Sequence, residues 1–136
     1  MYKIAIVGTS KHLSENEERD IRQYCSQIIK SYHLDDIIIT GGAVGVDSIA
    51  VEIANQLRYK TKIYYPNTMS WEDFKKRNLQ IAKNCNELFC ITTPVHDMPC
   101  YHHIPPQNHQ KTAGCYTMNQ AKKLGKQITL FVTPKR

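Results

Sequence analysis

No apolar run in this sequence approaches the roughly 20 residues needed to cross a bilayer, which excludes a membrane-spanning helix and any membrane partner that needs one. There is also no basic segment followed by an apolar stretch and a small-residue cleavage site. The start, Met1-Tyr2-Lys3-Ile4-Ala5-Ile6-Val7-Gly8, reads directly as a strand, so a secretory leader is not expected and a cytoplasmic location is. Cysteine is present five times, an odd number, which argues against a disulfide framework in a reducing compartment. Prolines number six, and four of them crowd into residues 93–111. Acid is scarce in the second half: residues 1–68 carry eight Lys/Arg against eight Asp/Glu, and residues 69–136 carry ten against four, the whole of the +6 net charge. A basic half suits an anionic ligand or nucleic acid; scattered lysines on solvated helix faces suit it equally.

What is present is an ordinary globular composition, 41% apolar and 22% charged. At 136 residues the natural expectation is one domain, 1–136, with a core that needs no staples. Strand and helix patterns alternate throughout. Apolar runs at 3–8, 37–40, 62–65, 87–92 and 127–132 read as buried strands. Ser14 followed by Glu17 is a capping box, and Ile21, Tyr24, Cys25, Ile28, Ile29 and Tyr32 then share one helical face. Val46, Ile49, Ala50, Ile53, Ala54 and Leu57 form a second stripe. Ser70 caps a third helix with Trp71, Phe74, Ile81, Ala82 and Cys85 inward, and a fourth runs from about Gly114 to Leu124, stopped by Gly125. Cys25, Cys85 and Cys90 read as small core residues. Five such strands with four helices predict a Rossmann-like three-layer α/β sandwich, its five-stranded sheet mainly parallel and covered on both faces. Residues 93–111 have no periodicity, and a loop of that length in a small domain usually has a function or is disordered.

Ligands of such sheets bind at the carboxyl ends of the strands, near the switch in strand order. Gly8-Thr9-Ser10, Thr40 to Asp47, Tyr65 to Asn67 and the loop after Thr92 should converge there. The centre is the turn Thr40-Gly41-Gly42-Ala43-Val44-Gly45-Val46-Asp47, a strand end, a glycine turn and a helix start in succession. Glycines let a ligand approach the main chain, and the first amides of a helix attract phosphate. A carboxylate beside a phosphate is unfavourable, so Asp47 is expected to cap amides or to accept bonds from ribose hydroxyls. The turn follows the second strand and is neither the dinucleotide fingerprint nor a Walker loop, since no Gly-Lys-Ser/Thr follows. A tight strand-to-helix connection without ligand is the plain alternative.

This turn resembles the (S/T)-G-G-A-x-G-(A/V/I)-D turn of the SLOG superfamily, which includes the cytokinin-activating LOG enzymes and the DNA-processing protein DprA (Smf). Val7-Gly8-Thr9-Ser10, Lys76-Arg77-Asn78, Asn86-Glu87-Leu88 and Thr112-Ala113-Gly114 fall in the corresponding order, so the resemblance covers essentially the whole chain. It implies a Rossmann-like fold and nucleotide-type ligands. It implies that Arg77 faces the pocket as a phosphate clamp, that Asn78 positions it or binds the ligand, and that Thr112-Ala113-Gly114 is a second glycine turn. The chain departs from the phosphoribohydrolase members, whose P-G-G-x-G-T-x-x-E motif supplies a catalytic Glu. After Gly114 it runs Cys115-Tyr116-Thr117-Met118 without an acid, leaving Asp47 as the candidate catalytic residue. The DprA-like first loop expects Arg where Ser10-Lys11 stands.

Between Cys100 and Cys115 lie His102, His103 and His109, and sulfur with imidazole nitrogen at such spacings suits tetrahedral zinc. The best set is Cys100, His103, His109 and Cys115, with His102 competing with His103 and His96 more distant. Four protein ligands close a site, so the zinc would be structural, ordering the loop over the pocket. A histidine-rich loop without metal is the alternative. The leading expectation is a nucleotide-binding or nucleotide-sensing protein with a phosphate on Gly41 to Gly45 and Arg77. A nucleoside 5′-phosphate N-glycosidase or phosphoribosyl hydrolase or transferase is the second. A module for single-stranded nucleic acid is the third, and a homo-oligomer is compatible with each.

Overall fold

Lys3–Gly8 (β1) is the strand around which the rest assembles, paired on both sides and buried from Ile4 onward. The computed structural model describes residues 1–93 and 113–134. In chain order the remaining elements are Glu15–Lys30 (α1), Ile37–Thr40 (β2), Val46–Gln56 (α2), Lys60–Ile63 (β3), Trp71–Asn84 (α3), Glu87–Thr92 (β4), Ala113–Lys123 (α4) and Gln127–Val132 (β5). All pairings are parallel, and the sheet order is β3-β2-β1-β4-β5. The chain moves outward from β1 to β3, crosses back, and moves outward the other way through β4 and β5. The order therefore reverses between β1 and β4, where Gly8 lies beside Ile91. The expected Rossmann-like α/β sandwich is what the chain forms.

Side chains alternate between the two faces of each strand, which divides the core in two. Ile4, Ile6, Ile38 and Ile91 pack under α1 and α2 with Ile21, Ile29, Val46 and Ile49. Ala5, Val7, Ile39, Leu88 and Cys90 pack under α3 and α4 with Ile81, Ala82 and Met118. Cys25, Cys85 and Cys90 are all buried, as expected of small core residues. Local signals set the helix ends. The Ser14 hydroxyl accepts from the Glu17 amide (3.2 Å) while the Glu17 carboxylate accepts from the Ser14 amide (2.9 Å). Ser70 caps α3 through the Asp73 amide (3.2 Å), and Gly125, with φ +76°, ends α4.

Two expectations shift. The third strand is Lys60–Ile63 and not 62–65, because it is an edge strand in register with β2 (Ile37 opposite Lys60, Thr40 opposite Ile63). Its alternation, Lys out and Thr or Ile partly in, is weaker than the apolar run Ile63-Tyr64-Tyr65 that suggested the later range. Trp71, placed on the inner face of α3, is exposed; the buried residues of that helix are Arg77, Asn78, Ile81 and Ala82.

Candidate ligand cavity at the strand-order reversal

The carboxyl ends of β1 and β2 and the first turns of α2, α3 and α4 enclose a cavity of about 410 Å³. Its buried floor is made by Gly8, Gly41, Asp47, Arg77 and Asn78. Its rim carries exposed apolar side chains: Val44 is 56%, Tyr65 67% and Met69 83% accessible. Val7, Ser10, Gly42, Phe74, Gly114 and Thr117 also line it.

Glycine is required at these positions for different reasons. Gly42 has φ +75°, and a Cβ there would lie 2.7 Å from the Tyr65 ring. Gly41 has no such angle; its Cβ would meet Arg77 Nη1 at 2.8 Å and Asp47 Oδ2 at 2.9 Å, so it is small because those two groups close over it. Gly45, expected in the first turn of α2, is its N-cap with φ +90°, and a Cβ would strike the Thr9 carbonyl at 2.4 Å. Gly8 and Gly114 touch directly: a Cβ on Gly114 would lie 2.7 Å from the Gly8 Cα, so α4 begins against the backbone of β1.

Several residues expected at the ligand do not line the cavity. Thr9 is spent on structure: its amide donates to Ile91 O (3.0 Å), its hydroxyl accepts from the Thr93 amide (3.2 Å), and its carbonyl accepts from the Val46 amide (3.1 Å). That last bond takes one of the α2 amides expected to face a phosphate. The Thr40 hydroxyl donates to Ile6 O (2.6 Å) in full burial. Ala43 does line the cavity, and its carbonyl accepts from the Ser48 hydroxyl (2.8 Å). Ala113 opens α4, and Thr112 lies outside the described residues.

Arg77 and Asp47 form the centre. Arg77 is buried, and its Nη1 donates to the carbonyls of Gly41 and Tyr64 (3.3 Å to the latter) while Nε donates to Asn78 Oδ1 (2.7 Å). Through Nη1 Arg77 holds the glycine turn, and through Nε it is held by Asn78. Asp47 caps the turn, its Oδ2 accepting from the Ala43 amide (3.2 Å). Burial pushes its carboxyl up to about 6, against the opposing pull of the Ala43 amide and the Arg77 guanidinium. Burial likewise lowers the affinity of Arg77 for its proton, offset by Asp47. Two fully buried atoms, Asp47 Oδ1 and Asn78 Nδ2, have no hydrogen-bond partner among the described residues and present no surface to the cavity.

Met69 and Thr117 were not expected at the cavity, whereas Tyr65 belongs to a segment that the strand-end rule had already placed there. Met69 could not be found from periodicity, since it precedes α3 in a turn. Of the expected zinc ligands, Cys100, His102, His103 and His109 lie outside the described residues, as does His96. Cys115 is fully buried in the first turn of α4. Among the described residues no group of three or more His, Cys, Asp or Glu could hold a metal ion, and no helix is long and apolar enough to cross a membrane.

No protein-family model matches the chain, and no curated protein matches it in sequence. Solved structures do. DNA processing protein A (DprA) from Streptococcus pneumoniae superposes with a TM-score of 0.67 at 16% identity, over 99% of this chain and 51% of that one. This chain therefore spans about half the length of that protein. The structure of TM1055 gives 0.65 at 17% identity, over 94% of this chain and 72% of that one. The molybdenum cofactor carrier protein of Chlamydomonas reinhardtii gives 0.66 at 18% identity, over 98% and 79%. What the chain has in common with all three is the Rossmann-like fold that the glycine turn's resemblance implied, over nearly its whole described length.

Proposed function

We propose that this protein binds a nucleotide or phosphorylated nucleoside in the cavity at the ends of β1 and β2. The observation that carries the reading is the cavity itself: about 410 Å³, at the reversal of strand order, with glycine backbone in its wall and apolar side chains at its rim. That is the place and the lining by which open α/β sheets take small ligands. One neighbour in fold is a molybdenum cofactor carrier protein, which fits binding without turnover. The missing acid after Gly114 supports the same preference, because Asp47 is the one carboxylate among the described lining residues and it caps the turn. A nucleic-acid reading draws on the DNA processing neighbour and the basic second half. The cavity favours the small ligand, since no lysine is among the described residues that line it.

Thermal unfolding with a panel of nucleoside 5′-mono- and diphosphates tests this. At least one is expected to raise the melting temperature, and Gly42→Asp, which drives a side chain toward Tyr65, is expected to abolish the rise. A panel that leaves the wild-type melting temperature unmoved, at millimolar ligand, ends the proposal.

A further inference from the structure

The described residues expose seven large apolar side chains, and they are not scattered. Met1, Leu34 and Leu124 each precede a strand, at the amino end of the sheet. Val44, Tyr65 and Met69 all line the cavity at the carboxyl end, and Trp71 follows two residues after Met69. Single exposed apolar residues are ordinary, but three of them from two loops around one opening mark a place where an apolar group docks.

The two largest of the three stand on fixed backbone. Tyr65 precedes Pro66, which restricts it to extended backbone. Its ring edge lies against the glycine turn, where a Cβ on Gly42 would come 2.7 Å from Cε1 and 3.2 Å from Cδ1. At 67% exposure most of the ring stays open. Met69 sits in a turn knitted by hydroxyls: Thr68 Oγ1 accepts from the Ser70 amide (3.2 Å) and donates to the Asp73 carboxylate. Its backbone is held, while its unbranched thioether side chain can conform to what lies against it. No charged side chain stands at this rim: the two that line the cavity among the described residues, Asp47 and Arg77, are buried in its floor.

An uncharged rim with an open aromatic ring is complementary to a flat, uncharged heterocycle and not to a phosphate. The geometry points to Tyr65 and Met69 as the residues that select the base of the ligand: the heterocycle lies outermost, stacked on the Tyr65 ring at the mouth, with Met69 beside it. This rests on the nucleotide reading above and states which part of the ligand the rim recognises. Neither side chain takes part in the clasp of Arg77 on the glycine turn.

Calorimetric titration of wild type, Tyr65→Ala, Tyr65→Phe and Met69→Ala with AMP, GMP, CMP, UMP and ribose 5-phosphate tests this. Wild type is expected to bind at least one of the four nucleotides about fivefold or more tighter than ribose 5-phosphate, which has sugar and phosphate but no base. Tyr65→Ala should weaken that nucleotide by roughly tenfold. Tyr65→Phe keeps the ring and should weaken it by less than about twofold; Met69→Ala should weaken it by about threefold. Ribose 5-phosphate should bind all three variants as it binds wild type. Should Tyr65→Ala fail to fold, the wild-type protein still decides: the Met69 methyl resonance must move on adding the nucleotide and stay in place with ribose 5-phosphate. Three results overturn this inference and leave the nucleotide reading standing: a nucleotide that binds Tyr65→Ala and Met69→Ala as tightly as wild type, ribose 5-phosphate that binds wild type as tightly as every nucleotide, or a Met69 methyl that the bound nucleotide leaves unmoved. A wild-type dimer that both alanine variants break, with nucleotide affinity unchanged, assigns the rim to a second copy and overturns it as well. Wild type that binds none of the four nucleotides overturns both.

Discussion

The two ends of the sheet bury carboxylates to the same depth and treat them differently. At the amino end Asp36 and Glu87 are each 8% exposed, and at the carboxyl end Asp47 is 7% exposed. Asp36 accepts from the Tyr2 amide with one oxygen and from the His33 amide with the other, both at 3.0 Å. Glu87 accepts from the hydroxyls of Tyr2 (3.2 Å) and Tyr32, whose loss of a proton is opposed first by burial and then by Glu87. Asn86 exchanges bonds with the Lys3 backbone, both at 2.8 Å. These bonds are all made within the protein. The carboxyl end holds Asp47 with one oxygen unpartnered and Asn78 with its amide nitrogen unpartnered, beside a cavity. Burial is thus common to both ends, and incomplete hydrogen bonding among the described residues separates them.

The largest expected effect comes from cutting the clasp that holds the unfinished end. Arg77→Ala leaves the Gly41 carbonyl without its donor and Asp47 without a nearby cation. A loss of about 4 kcal/mol in urea unfolding is expected; a loss under 1 kcal/mol would show that the glycine turn stands without it. A smaller effect of opposite sign is expected from Asp47→Asn. The folded-state value of about 6 lies above the unfolded 3.8, so the folded protein holds this proton more tightly. The destabilisation from the buried charge is therefore absent below about pH 4 and complete above about pH 6. The variant should match wild type at pH 4 and exceed it by about 2 kcal/mol at pH 7.5 without ligand. Urea midpoints at the two pH values check this, and equal offsets at both would refute it. The smallest effect belongs to the finished end: Glu87→Gln keeps an acceptor for Tyr2 and Tyr32 but removes its charge. About 1 kcal/mol should be lost, with nucleotide affinity unchanged by titration. A fall in affinity would mean that the two ends are coupled through β4.

The sheet was legible because its signals are local and strong. Ile4-Ala5-Ile6-Val7 and Ile37-Ile38-Ile39 can be little but buried strands, and Ser14 with Glu17 caps a helix whatever it packs on. The place of the cavity was legible too, since strand ends and a glycine turn fix it. The use made of each residue there was not. Nothing in Lys76-Arg77-Asn78 says that the guanidinium reaches a carbonyl 36 residues away. Gly41 and Gly45 look alike in sequence, yet one makes room for Arg77 and Asp47 and the other for the Thr9 backbone. Thr9 and Thr40 suggest ligand hydroxyls, but neighbouring strands claim them. Each of these depends on contacts between distant segments, which periodicity and motif spacing do not carry.

The clasp from Arg77 also has a consequence for the order in which the molecule is made. Everything up to Ile63 can pair as β3-β2-β1 with α1 and α2 on one face, but the glycine turn is then tied only to α2, through Asp47 and Ser48, and not yet to Arg77. Only when α3 has left the ribosome and docked can Arg77 reach the carbonyls of Gly41 and Tyr64. The cavity is therefore among the last parts of the fold to be finished. A completed cavity then reports that both halves of the chain have come together.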